Sequence, residues 1–100
     1  MITRGTTPTV RFTFSAVSVS EFDVAYLTIK QQGEKLIEKD LSAAETGEKY
    51  IEWTLTQEET LSMDEKSNLR IQCRYRIGSQ AYASEIFDVN PYDILKEEVI

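Results

Sequence analysis

From Leu69 to Ile77 the chain alternates strictly: Leu69, Ile71, Cys73, Tyr75 and Ile77 are apolar, and Arg70, Gln72, Arg74 and Arg76 between them are polar. Successive side chains of a strand point to opposite faces, so this period puts the five apolar residues on one side of a sheet. Wound as a helix, the same residues would spread round the axis. The pattern recurs in Thr9-Val10-Arg11-Phe12-Thr13-Phe14, and again where Ile51, Trp53 and Leu55 alternate with Glu52 and Thr54. Residues 22–30 carry apolar side chains in both phases, as a central strand does. The segments 36–41 and 81–89 complete the set, while residues 16–20 read as an extra short strand or a loop.

Glycine and proline fall between these runs. Gly33 follows Gln31-Gln32, Gly47 precedes the Trp53 strand, and Gly78-Ser79 separates two alternating runs. Gly followed by Ser suits a two-residue type II′ turn, whose first position needs positive φ. Pro8 and Pro91 flank the folded region, where neither interrupts an interior ladder.

A two-residue loop at Gly78-Ser79 fixes a register. Ile77 lies opposite Gln80, Tyr75 opposite Tyr82, Cys73 opposite Ser84 and Ile71 opposite Ile86, and paired residues share a face. The predicted core face holds Ile71, Cys73, Tyr75, Tyr82 and Ile86. The opposite face holds Arg70, Arg74, Arg76, Ala81, Ala83, Glu85 and Phe87. With Phe12, Phe14, Leu27, Ile29, Ile51, Trp53 and Leu55, the residues Ile71, Cys73 and Ile86 make up the expected core.

One short helical turn is expected where Thr56-Gln57-Glu58-Glu59 matches a capping box, with Leu61 anchoring the turn on the core. The fold class that follows is all-β: an immunoglobulin-like antiparallel sandwich of six to seven strands with that one helical turn. A small barrel is the alternative. The 100 residues fit one domain, with a short polar arm at residues 1–8 and a C-terminal segment at residues 91–100.

The formal net charge is -6, which argues against a nucleic-acid partner, since that needs a basic stripe to displace counterions from phosphates. It also argues against docking on an anionic membrane. No apolar run approaches a membrane span, and no secretory leader is evident, so the expected site of synthesis is the cytoplasm. The chain has no histidine and one cysteine, Cys73, which excludes the common triads and Cys–His pairs. Zinc ligands are likewise lacking. The oxygen-rich stretch Asp64-Glu65-Lys66-Ser67-Asn68 lacks calcium-loop spacing and reads as a turn. Seventeen Asp and Glu residues leave a carboxylate dyad conceivable, but most sit in solvated runs. The expectation is therefore no catalytic residue, no cofactor and no metal.

Two surfaces could carry contacts. One is the row Arg70, Arg74, Arg76 with Phe87, because arginine beside aromatics is enriched at interfaces. Its plain reading is a solvated face with arginine stems packed flat. The other is the C-terminal segment, in which Ile94, Leu95, Val99 and Ile100 are apolar and Lys96, Glu97 and Glu98 charged. So short a segment is a marginal helix alone and gains order by packing.

The opening Ile2-Thr3-Arg4-Gly5-Thr6-Thr7-Pro8, the run Leu55-Thr56-Gln57-Glu58-Glu59-Thr60-Leu61 and the ending Ile94-Leu95-Lys96-Glu97-Glu98-Val99-Ile100 carry a resemblance. Together they resemble small prophage-encoded β-sandwich proteins of Gram-positive bacteria, similar to the amino-terminal domain of phage baseplate upper proteins. The resemblance implies a non-enzymatic structural protein of a phage tail or baseplate. Its partners would be other phage structural proteins or further copies of itself. It would be made in the host cytoplasm and carried in the virion. A free-standing adhesion or carbohydrate-binding module is the alternative, and that reading calls for a cluster of exposed aromatics.

Overall fold

The computed structural model describes residues 2–100 as two antiparallel sheets packed face to face. The strands are β1 (Thr9–Thr13), β2 (Val24–Gln31), β3 (Glu34–Asp40), β4 (Glu45–Thr46), β5 (Tyr50–Thr54), β6 (Leu69–Ile77), β7 (Gln80–Ala83) and β8 (Phe87–Val89). The small sheet runs β1-β5-β4. The large sheet runs β3-β2-β6-β7, with β8 also paired to β6. Taken as strands B to G with a C′, this is the BED-over-C′CFG order of an immunoglobulin-like sandwich. Eight strands replace the expected six to seven. One is the two-residue β4, and another arises because the last strand breaks into β7 and β8.

The alternating apolar residues meet between the sheets. Leu27, Ile29, Ile51, Trp53, Leu55 and Cys73 are completely buried, and Phe12 and Ile71 nearly so. Phe12 meets Trp53 edge-on with ring centroids 6.1 Å apart. Trp53 is anchored at its polar end, where Nε1 donates to the Asp40 carbonyl at 2.9 Å. Phe14 is half-buried, because it follows the last β1 residue and packs edge-on against Phe22 and Tyr75 at the rim.

Each passage between sheets is made by a helical turn. Residues Val19–Glu21 lead from β1 to β2, Leu41–Ala43 from β3 to β4, and the helix α1 (Gln57–Leu61) from β5 to β6. The capping box on α1 forms as the sequence predicts: Thr56 Oγ1 accepts from the Glu59 amide, and the Glu59 carboxylate accepts from the Thr56 amide. The anchoring residue differs from expectation. Thr60 and Met63 are buried, and Leu61 only partly. The Thr60 hydroxyl donates to the Thr6 carbonyl at 2.8 Å, which draws that side of the turn inward.

The hairpins follow their turn chemistry. Gln32 and Gly33 both have positive φ (55° and 78°), the signature of a type I′ turn between β2 and β3. Gly78 has φ 60°, and the β6–β7 register pairs Ile77 with Gln80 and Tyr75 with Tyr82, as expected.

The expected register continues through Ala83 opposite Arg74 and fails beyond Ser84. Ile71 lies opposite Phe87 instead of Ile86, a slip of one residue between β7 and β8. The cause is Ser84. Its amide donates to the Cys73 carbonyl at 2.8 Å, but the Cys73 amide donates at 3.0 Å to the Ser84 hydroxyl, not to the Ser84 carbonyl. That carbonyl accepts instead from Gln72 Nε2 at 3.0 Å. A side chain thus substitutes for one rung, and one extra residue is accommodated as in a bulge. A slip of one exchanges faces. Phe87 therefore turns toward the core side, 6.2 Å from the Phe12 ring, and Ile86 turns outward. At 45% exposure Ile86 is not a core residue, and Phe87 does not belong to the arginine face.

Among the described residues of the N-terminal arm, 2–8, Ile2 and Arg4 are buried. Thr3 bridges Tyr92 in parallel, the Arg4 amide donates to the Tyr92 carbonyl, and the Tyr92 amide donates to the Ile2 carbonyl, both at 2.9 Å. Arg4 fixes the arrangement. Its Nε donates to the Met63 carbonyl (2.7 Å) and Nη2 to the Leu61 carbonyl (3.0 Å), while Nη1 reaches Asp93 (2.8 Å) and Glu97. One guanidinium thereby satisfies carbonyls at the end of α1 and pairs with two carboxylates of the C-terminal segment.

Candidate functional site

The face of the large sheet turned away from the core is the surface on which the arginine row lies. Along β2 the residues Ala25, Leu27, Ile29 and Gln31 point inward, so Val24, Tyr26, Thr28 and Lys30 point out. The registers carry this across the sheet: Asp40, Tyr26, Arg74 and Ala83 form one row, and Val24, Arg76 and Ala81 the next. Ala81 and Ala83 are short, so the stretch beside Arg74 and Arg76 is not overhung from β7. A shallow depression of about 410 Å³ results, lined by Val24, Tyr26, Glu38, Arg74, Arg76 and Ala81 among others.

The arginines of the chain differ in what they touch. Arg4 and Arg11 pair closely with carboxylates, and Arg70 lies 3.8 Å from Asp88. Arg11 also sits over the Tyr50 ring at 4.2 Å. Among the described residues, Arg74 and Arg76 have no carboxylate within ion-pair distance and their side chains make no hydrogen bond. The acids nearby are engaged elsewhere. Asp23 accepts from the Gly78 amide at 2.7 Å, and Glu38 lies 3.6 Å from Lys35. Asp40 accepts from the Ser42 amide (3.0 Å) and hydroxyl (2.5 Å), both through Oδ1. The Ser42 hydroxyl bond, with further backbone donors, holds the Asp40 carboxyl below its ordinary range.

The C-terminal segment stands apart from this face. It forms no helix; it runs from the Tyr92 bridge past Arg4 and Gly5, and at its end Ile100 exchanges two hydrogen bonds with the Gln57 side chain (2.8 and 3.3 Å). Ile94 is half-buried against Gly5, whereas Leu95 is fully exposed, Ile100 largely so and Val99 about half. The structure therefore brings Arg70, Arg74 and Arg76 onto one face, puts Phe87 on the other face of the same sheet, and holds Ile94, Leu95 and Val99 at the α1 end. Tyr26, Glu38 and Asp40 join the arginines on their face, and sequence reasoning did not include them. The signal that could have found Tyr26 is the double-phase apolar run 22–30, since a central strand must show one phase outward.

Chemically the outer face offers three guanidinium groups, two of them unpaired among the described residues, with an exposed phenol and carboxylates, which suit polar contact with another macromolecule. Among the described residues no three Cys, Asp or Glu side chains come together as metal ligands would. Burial pushes the Cys73 thiol up to about 12, so it offers no thiolate near neutrality. Among the described residues no helix is long and apolar enough to cross a membrane. Compared with known proteins, the chain matches no family model, no curated protein and no solved structure.

Proposed function

We propose that this chain is a non-enzymatic structural protein of a phage or prophage, a tail or baseplate component that works through protein–protein contacts. The observation that supports the reading best is the outer face of the large sheet. It is left uncovered, and among the described residues two of its arginines are without ion-pair partners in a chain of net charge -6. An unpaired guanidinium beside an exposed tyrosine is the composition that interfaces favour. The C-terminal segment adds a second surface, because Leu95, Val99 and Ile100 stay exposed while the segment is held in place.

A carbohydrate-binding module would need several aromatics exposed together. The rings of Phe14, Phe22, Tyr75 and Tyr82 do form a continuous stack, with Phe22 and Tyr75 parallel at 4.4 Å and Tyr75 and Tyr82 at 5.3 Å. That stack lies along the core side, and of the four only Tyr82 is exposed. This favours contact with protein over sugar stacking.

The test is a pull-down of the purified chain against the proteins encoded beside its gene, comparing the full chain, a version lacking residues 92–100, and R74Q/R76Q. Retention of a virion protein, lost in one of the variants, is the expected result. Failure of all versions to bind any virion protein, together with a strictly monomeric state at high concentration, would overturn the proposal.

A further inference from the structure

Resting on that reading, we propose that the strip of the outer face over β6 and β7, at Arg74 and Arg76, docks an extended acidic segment of a partner protein that carries two carboxylates at alternate positions. The argument is one of charge complementarity. Among the described residues, the outward side of the large sheet's strands bears Lys30, Lys35, Arg70, Arg74 and Arg76 against Glu38, Asp40 and Asp88. That side is basic by two charges in a chain of net charge -6, so the excess of acid lies on the other surfaces. The acids at the Arg74 end are held within the chain: Asp23 by the Gly78 amide, Glu38 by Lys35, and Asp40 Oδ1 by Ser42. In the row Asp40–Tyr26–Arg74, Asp40 stands two strand spacings from Arg74, about 10 Å, which exceeds the screening length of about 8 Å at physiological ionic strength. Cations kept apart from the chain's own acids are left for another's.

Shape selects where the segment lies. Toward β7, Arg74 pairs with Ala83 and Arg76 with Ala81, so only methyl groups flank the two arginines there. Toward β2, Tyr26 and Val24 stand beside them. The open strip is therefore on the side away from Glu38 and Asp40. Arg74 and Arg76 are two residues apart on one strand, a spacing of about 6.7 Å. An extended chain repeats the side chains of one face at the same distance, so two alternate carboxylates meet the two guanidinium groups one to one.

Other occupants fit less well. A second copy laid on by a two-fold axis along β2 brings Asp40 over Arg74, but it also sets Lys30 on Lys30 and Lys35 over Arg70. A nucleic-acid backbone or an anionic bilayer spreads its charge evenly and would meet Glu38, Asp40 and Asp88 along with the arginines.

The probe is a blocked peptide of alternating threonine and glutamate, about seven residues long and so about 23 Å when extended. It is titrated into the 15N-labelled full chain at low ionic strength, and the backbone amide and arginine Nε–H signals are followed. Saturable shifts are expected at Arg74, Arg76, Ala81 and Ala83, with a midpoint on the order of 1 mM because exposed ion pairs are individually weak. R74Q/R76Q is expected to weaken binding by about tenfold or more. R70Q should change it by less than about twofold, since Arg70 faces Asp88 and lies four residues from Arg74. Salt near about 1 M, where the screening length is about 3 Å, should abolish it. The inference is overturned by no saturable shift up to about 20 mM peptide, by equal binding in R74Q/R76Q, or by equal binding of the glutamine analogue. Tighter binding of a single-stranded oligonucleotide, or of vesicles of phosphatidylglycerol and phosphatidylcholine, overturns it as well. If the peptide fails while R74Q/R76Q loses capture of a virion protein, the face docks a partner that is not acidic. The inference then falls and the structural role stands. If the peptide binds while no virion protein is captured, the acidic preference stands and the assembly role falls.

Discussion

The Cys73 amide donates to the Ser84 hydroxyl at 3.0 Å, and this one bond decides which face Ile86 and Phe87 occupy. Ser84→Ala removes the acceptor and leaves the Cys73 amide unpaired in the interior. The expected loss is about 1–3 kcal/mol of unfolding free energy, read by urea titration of Trp53 fluorescence. Ser79→Ala at the turn tip is expected to stay within about 0.5 kcal/mol. Equal costs for the two would show that the serine hydroxyl does not hold the slip.

Gly5 and Gly33 have nearly the same backbone conformation, φ 76° and 78°, but different surroundings. A β-carbon on Gly33 would meet nothing within 4 Å, whereas on Gly5 it would lie 2.4 Å from Ile94 Cδ1. Gly33→Ala is expected to cost about 1–2 kcal/mol from backbone strain alone. Gly5→Ala should cost at least about 1 kcal/mol more and loosen the C-terminal segment. Thermal unfolding of both variants, with amide exchange of residues 92–100, checks this, and Ile94→Ala in the Gly5→Ala background should recover only the steric part.

Acid should release both ends of the chain. Asp93 is held below its ordinary value of 3.8 by the Ile94 amide and by Arg4. Glu59 is held below 4.5 because the Thr56 amide and Lys39, at 3.0 Å, together outweigh its burial. A carboxyl with a lowered folded pKa contributes stability that is complete above its unfolded pKa and is lost as pH falls through the folded value. Stability is therefore expected to be level near neutrality and to fall below about pH 4.5. Glu59→Gln should flatten the part of that fall due to Glu59. An unchanged pH profile in E59Q would contradict the assignment.

Cys73 is fully buried and its thiol is pushed up to about 12. At pH 8 only about one molecule in ten thousand carries the thiolate, so iodoacetamide should label the native chain very slowly. Full labelling is expected in urea, with a midpoint that coincides with the Trp53 transition. Rapid labelling of the native chain would mean that β6 is not shielded as the structure has it.

Alternation by itself determined much of this protein. A period of two can be read locally, since each side chain's face follows from its neighbours, and it located the strands from Thr9–Thr13 to Leu69–Ile77 and the burial of Trp53. Turn and cap signals are equally local, so the Gly78-Ser79 hairpin and the Thr56 capping box were legible too.

What tertiary structure decided are the places where one distant group replaces a local rule. No period marks Ser84 as the residue whose hydroxyl supplants a carbonyl, because that depends on the Cys73 amide 11 positions away. Nothing in residues 1–8 announces that Arg4 will be buried; its burial is stable only because carbonyls from Leu61 and Met63 and carboxylates from Asp93 and Glu97 converge on it. The candidate face divides in the same way. That Arg74 and Arg76 share a side follows from their spacing. That Tyr26, Glu38 and Asp40 lie on that side, and Phe87 does not, depends on strand order and on one slipped rung, which are long-range pairings that no window of sequence contains.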